Sequence, residues 1–156
     1  MREMLLAAAL AGATWAQPAQ VREMADRWAD TYGIERELVH AVIEVESGGQ
    51  ARAVSPAGAA GVMQLMPGTA AEFRVGNRFD PDENIRGGVA YLAWLRDRCD
   101  GDLRLMLASY NAGHARVLKR GLRFSSNEVL AYVERVTFVY RRNRWESVLR
   151  ARRSFR

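Results

Sequence analysis

The sequence predicts a mainly α-helical fold with one small β element near residues 50–65. Three observations carry this expectation. Apolar residues recur at helical spacing, start and stop signals bound those segments, and strand-like alternation is scarce. Val21 to Tyr32 reads as a first helix, stopped by Gly33. Glu35 to Ser47 reads as a second, stopped by Gly48 and Gly49. Gln50 to Met66 is glycine-rich and irregular, with room for a small hairpin, and a short helix follows Pro67. "DPDENI" opens the next helix: Asp80 caps, Pro81 fits the first turn, and Glu83 sits where a capping box wants a carboxylate. That helix runs to about Cys99 and ends at Asp100 and Gly101. Another covers Leu103 to Ala112 and stops at Gly113. "SSNE", Ser125 to Glu128, repeats the capping-box pattern and opens a long final helix.

Size and composition bound the rest. The chain has 156 residues, 49% hydrophobic and 26% charged, enough for one domain around one core. A net charge of +5 and a pI near 10.0 suit an acidic partner: nucleic acid, an anionic membrane face or an anionic cell-wall polymer. Arg2, the apolar run Leu5 to Ala11, and small residues at Thr14 and Ala16 read as a secretory signal over residues 1–16, cut near Ala16. A first amphipathic helix is the competing reading, but the run has no polar face. No segment reaches the roughly 20 apolar residues that a membrane span needs. The expectation is therefore an exported, soluble, periplasmic domain over residues 17–156, for which nucleic acid is a poor partner. Cys99 is the only cysteine, so no internal disulfide or cysteine-based metal cluster forms, and it is in register with the apolar face of its helix.

"IEVESGG", Ile43 to Gly49, places Glu44 and Glu46 together in an apolar stretch. Successive helical residues are rotated by about 100°. With Leu38 at zero, Val42 falls near roughly 40°, Val39 near 100° and Glu46 near 80°, between them. Glu44 falls near roughly 240°, beside His40 and Glu37, and is expected in solvent, as is His40. Glu46 projects instead from the apolar arc at a helix C-terminus. Burial and the partial negative charge of the helix end both favour its neutral form. A proton held near neutral pH is what a general acid needs to protonate a leaving oxygen. The bland alternatives are a Glu46 frayed outward, or one paired with Arg52.

From Glu46 the chain reads "ESGGQARAVSPAGAAGVMQLMPGTA", then "FDPDENIRGGVAYLAWL", "LASYNAGHARV" and "NEVLAYVERV". In this order and spacing the segments resemble the lytic transglycosylase domain, a lysozyme-like family that cuts the glycan strands of peptidoglycan. The resemblance covers roughly Val21 to Val139. It implies a lysozyme-like α+β fold with a glycan groove and Glu46 as catalytic acid/base. It assigns substrate contacts to Ser47, Ser55, Met63, Gln64, Tyr110, Asn111 and Tyr132, with Tyr132 near the catalytic glutamate. Local pattern leaves each open. Met63 fits core or groove equally. Gln64 in an apolar run needs buried partners or a cleft, with the cleft preferred. Ser55 fits a turn before Pro56. Tyr110 lies on a core face with a hydroxyl that needs a partner. Asn111 fits a helix end, and Tyr132 is in phase with Val129 and Val136. The sequence departs from the family pattern at His114 and Ala115, where Pro-Gly is frequent, at Val129, where threonine is usual, and at Ala51, where proline is common.

The resemblance further implies a one-carboxylate mechanism that leaves a 1,6-anhydromuramic end, since Asp80, Asp82 and Glu83 are explained by capping. No cofactor is expected, and no metal, because His40 and His114 lack ligand spacing with any acidic pair. The short chain also looks like the specialised type that opens the wall for an envelope-spanning secretion, conjugation or pilus apparatus. A hydrolytic muramidase and a non-catalytic wall-binding scaffold are the competing functions. The terminal run "RRNRWESVLRARRSFR" reads either as a solvated helix end or as a contact for wall polymers, lipid head groups or an acidic partner subunit.

Overall fold

A computed structural model describes residues 19–124 and 126–154. The signal-like residues 1–16 lie outside them. Helix α1 (Ala19–Tyr32) is followed by α2 (Arg36–Glu46), the short α3 (Pro67–Glu72), α4 (Pro81–Arg98), α5 (Leu103–Ala112), α6 (His114–Arg120), a single 3-10 turn (Gly121–Phe124) and α7 (Asn127–Ser154). The expected small β element is a pair of antiparallel bridges, Val54 with Ala60 and Ala60 with Leu65.

Helix α2 is central. It buries Leu38, Val39, Ala41, Val42 and Ile43, more than one face of its circumference, because α1 packs on one side and α7 on the other. Helix α1 contributes Val21, Ala25 and Ala29 and lies against α4, where Ala25 and Ala29 admit close approach. Helix α4 buries Ile85, Val89, Leu92 and Leu95 at three- and four-residue steps, and Cys99 completes this face as a buried apolar residue. The inner face of α7 closes the core with Val129, Tyr132, Val133, Val136 and Val139.

Both sides of α2 being covered corrects two expectations. His40 is only 12% exposed and its Nε2 lies 2.7 Å from Asp26 Oδ1 on α1. Glu44 accepts a 2.6 Å hydrogen bond from Arg142 Nη2 on α7. The phase of each residue is as expected, but neighbouring helices occupy the space where solvent was expected. The caps are also partly revised. Asp80 accepts from Glu83 N at 2.9 Å as expected. The Glu83 carboxylate instead receives Gly76 N at 2.7 Å and Asn77 N at 3.0 Å, holding the preceding loop. At α7 it is Ser126 Oγ that receives an N–H, from Val129 at 3.3 Å, so Glu128 stands one place too early for a capping box. Helix α6 was not expected. Gly113, at φ +89°, breaks α5, and the chain re-enters a helix at once with Val117 as its one buried side chain. One apolar anchor leaves no readable period.

The loop from Ser47 to Met66 contains little regular structure and is held by side chains. Asn84 on α4 is fully buried. Its Nδ2 donates to Ala60 O at 3.0 Å and Arg78 O at 2.8 Å, and its Oδ1 accepts from Met63 N at 2.7 Å. Arg78 Nη1 donates to Gly58 O at 2.7 Å and Leu65 O at 3.0 Å. Gly61 has φ +84°, and a Cβ there would collide with the Arg78 carbonyl and the Asn84 amide. Gly88 likewise leaves room for the Met63 side chain, which would otherwise be struck at Sδ. Truncating Asn84→Ala leaves the buried Met63 N and the half-buried Arg78 O without this partner, while Ala60 O keeps only Leu65 N. It is expected to cost about 3 kcal/mol, read as a lower urea midpoint.

Candidate active site

Glu46 is the last residue of α2, and the helix stops there for reasons of sequence. Gly48 takes φ +63° and Gly49 φ +86°, conformations that suit glycine, so the chain turns sharply away. Ser47 fixes the direction of that turn. Its Oγ donates to Val62 O at 2.6 Å and accepts from Gly49 N at 3.1 Å. The end of α2 is thereby tied to the 61–65 segment, which Asn84 holds from α4. Tyr110 on α5 adds a third tie, donating from its hydroxyl to Met63 O at 2.9 Å. Three helices therefore fix one short loop beside the carboxyl-bearing helix end.

Tyr132 reaches Glu46 from α7. Its hydroxyl donates to Glu46 Oε1 at 2.6 Å, across 86 residues of sequence. Glu46 keeps partial exposure as a residue, yet protein crowds its carboxyl on most sides. Burial pushes the Glu46 pKa from 4.5 up to about 7, against the opposing pull of the Tyr132 hydrogen bond and the Arg135 charge. Tyr110 and Tyr132 are held well above the ordinary phenol range, first by burial and then by the nearby Glu46 charge. Both phenols stay protonated and remain donors. The pairing that would have tied Glu46 to Arg52 is absent among the described ion pairs. The other carboxylates near α2 and α4 are occupied: Glu44 by Arg142, Asp82 by Arg27 and Trp28, Glu83 by backbone amides and Asp80 by its cap.

The remaining expected site residues are placed as follows. Ser55 closes a turn, its Oγ accepting from Ala59 N at 3.1 Å. The Met63 side chain is fully buried, so of its two readings the structure supplies the core position. Gln64 has φ +50° and is half-buried, its Nε2 donating to Ala53 O at 3.0 Å and Gly61 O at 2.9 Å. It finds backbone partners while keeping a partly open side. Tyr110 is half-buried, with its ring 5.2 Å from that of Tyr91. Asn111 is exposed near the end of α5. His114, where the family pattern has proline, packs edge-on to Trp94 at 4.7 Å and lies 3.2 Å from the Tyr91 hydroxyl through Nδ1. Sequence reasoning missed Asn84 and Arg135. Asn84 stands in helical register with Gly88, Tyr91 and Leu95, a polar residue in an apolar row, and Arg135 is three residues beyond Tyr132 on the same helix.

An acid on a central helix end, held by a tyrosine from the last helix, is the arrangement that the motif order implied. Residues 23–130 match the Transglycosylase SLT domain family. The chain belongs to this family. Over 82 residues the SLT chain is 44% identical to the transglycosylase of Enterobacteria phage PRD1, covering 53% of this chain and 31% of that protein. It is 42% identical over 102 residues to membrane-bound lytic murein transglycosylase F of Desulfosudis oleivorans, covering 62% of this chain and 22% of the relative. The fold matches that of an inactive mutant of the lytic transglycosylase Slt from Pseudomonas aeruginosa, with a TM-score of 0.65 and 30% identity over 76% of this chain and 23% of that one. The SLT chain thus spans about a third or less of the length of these relatives.

The raised Glu46 pKa has a sign for stability. Between 4.5 and about 7 the folded SLT domain binds more protons at Glu46 than the unfolded chain, so stability falls as pH rises through that window. Glu46→Gln is therefore expected to stabilise the fold above pH 7, by up to about 3 kcal/mol, and to have little effect below pH 4.5. Urea unfolding at the two pH extremes checks this. Tyr132→Phe removes a hydrogen bond that favours the carboxylate, so the group at Glu46 is expected to titrate above about 7, seen as an alkaline shift in the same stability profile.

Proposed function

We propose that this domain cleaves the glycan strands of peptidoglycan as a lytic transglycosylase, with Glu46 as its acid and base. The single observation that carries the reading is the Glu46 carboxyl, protonated near neutral pH and held at 2.6 Å by the Tyr132 hydroxyl. Family membership supports the same class. The related Pseudomonas aeruginosa Slt is described as inactive when one glutamate is changed to glutamine.

In the proposed reaction Glu46 gives its proton to the glycosidic oxygen between N-acetylmuramic acid and N-acetylglucosamine as the C1–O bond breaks. The N-acetyl group of the muramic residue assists from within the substrate. Glu46, now a carboxylate, accepts a hydrogen bond from Tyr132 and feels the charge of Arg135. Both stabilise that form. It then takes the proton of the same sugar's 6-hydroxyl, whose oxygen bonds to C1. The ends are a 1,6-anhydromuramic residue and a free 4-hydroxyl, and Glu46 is protonated again. Holding the internal hydroxyl against C1 gives it a high effective concentration over water.

Asn111, Gln64 and Tyr110 are the proposed sugar contacts, each keeping some exposure. Ser47, Ser55 and Met63 act beneath them by fixing the loop. The substrate and the signal-like residues 1–16 favour a periplasmic site of action. Local wall opening for an envelope-spanning apparatus is the narrower reading that the resemblance adds.

Purified sacculi digested with the wild type and with Glu46→Gln provide the test. Mass spectrometry is expected to find anhydro ends, one water lighter than reducing ends, and a loss of at least about a hundredfold in the variant. Reducing ends from the wild type would instead assign a hydrolytic muramidase, and undetectable cleavage by the wild type a binding scaffold. For the free protein, kcat/KM is expected to fall as pH rises through about 7, because Glu46 must start protonated.

A further inference from the structure

The outer face of α7 is unlike the rest of the described surface. Five of the nine large exposed apolar side chains among the described residues are on this helix, so they form a patch rather than a scatter. Phe138 is 70% exposed and Trp145 65%. With Tyr132 at zero on the helical wheel, Trp145 falls near roughly 220°, Phe138 near 240° and Leu149 near 260°, directly opposite the core-facing residues. Arg141 and Arg152 lie between the apolar side chains, near roughly 180° and 200°. Every residue from Val148 to Ser154 is exposed, so the helix end stands clear of the domain.

The charges sort in the same way. Arg142 and Arg144 turn inward to Glu44 and Glu35. Arg141, Arg152 and Arg153 are exposed and form no ion pair with described residues. Their uncompensated charge is a concentrated part of the chain's net +5, and the complement is an anionic surface.

Two features favour a lipid surface over a partner helix. A close-packed helical seam needs successive apolar positions, whereas here Glu134, Arg141 and Arg152 interrupt the row at the positions between and beyond Phe138 and Trp145. Such charges are costly in a dry interface. In a headgroup layer Arg141 and Arg152 are favourable, because arginine stems lie along apolar surface while guanidinium groups reach phosphates, and Glu134 stands about one turn before Phe138, outside the segment from Phe138 to Arg153. Tryptophan and phenylalanine on an arginine-flanked face suit that depth. No described helix is long and apolar enough to cross a membrane, so the contact is one of surface attachment.

We propose that the outer face of α7 lies on an anionic lipid bilayer, with Phe138, Trp145 and Leu149 entering the headgroup layer and Arg141, Arg152 and Arg153 pairing with lipid phosphates. The proposal goes beyond glycan cleavage and does not depend on it.

Flotation of the full chain with phosphatidylglycerol–phosphatidylethanolamine vesicles, beside phosphatidylcholine vesicles, tests it. Wild type is expected to bind the anionic vesicles at least tenfold more strongly than the neutral ones. The double variant F138S/W145S and the triple variant R141Q/R152Q/R153Q are each expected to lose at least tenfold of that binding while cutting sacculi as wild type does. All substituted side chains are exposed, and unchanged thermal melts would show that both variants fold. Equal binding to both vesicle types would overturn the proposal, as would undiminished binding by F138S/W145S. So would capture by an acidic helical peptide without vesicle binding. A wild-type dimer that F138S/W145S converts to a monomer, with vesicle binding unchanged, would reassign the face to a second copy of the chain and overturn the proposal likewise.

Discussion

The Glu46 carboxyl is removed from water and given a hydroxyl in exchange, and the rest of the structure is arranged around that substitution. Desolvation alone would make the acid weak and its anion costly. The Tyr132 hydrogen bond and the Arg135 charge return part of that cost when the proton leaves. The balance puts the titration at about 7, where one group can serve as acid and then as base. Neither helix does this alone: α2 supplies the carboxyl at its C-terminus, and α7 brings the phenol across 86 residues of sequence.

Direct packing of α2 on α7 holds those two groups in register, while the ground beside Glu46 is built by the loop between α2 and α3. That loop forms no extended strand, only two isolated bridges and a series of turn hydrogen bonds. Its geometry is set by single side chains from three elements: Ser47 at the end of α2, Asn84 on α4 and Tyr110 on α5. Each directs a polar group at the backbone of residues 60–63, and each is itself fixed by helix packing. Glycines at 61 and 88 give the loop and the Met63 side chain space to lie that close. The site is thus built on rigid elements even though the chain passing through it is irregular, which is what precise placement of a reacting group requires.

Much of this was legible in the sequence, and the unread part has a common cause. The helical phase of Glu46 between Val42 and Val39 pointed to a buried carboxyl, because burial of one helix face is a local property of spacing. The same phase put Glu44 and His40 on the opposite side, correctly, but could not show that α7 and α1 would cover that side. Tyr132 was legible as a packing residue from its register with Val129 and Val136. Its contact with Glu46 came only through the family resemblance, since long-range pairing is decided by how helices dock. Asn84 offered a local signal, a polar residue in an apolar row, that went unread. Helix α6, with one buried side chain, offered none.

The central claim is that Glu46 keeps its proton to near neutrality in the free domain. Selective carbon-13 labelling of glutamate, with Glu46→Gln assigning the resonance, allows its carboxyl carbon to be titrated directly by NMR. A midpoint at about 7 is expected. A midpoint at the ordinary value of 4.5 would mean that the carboxyl is solvated, and would contradict that claim.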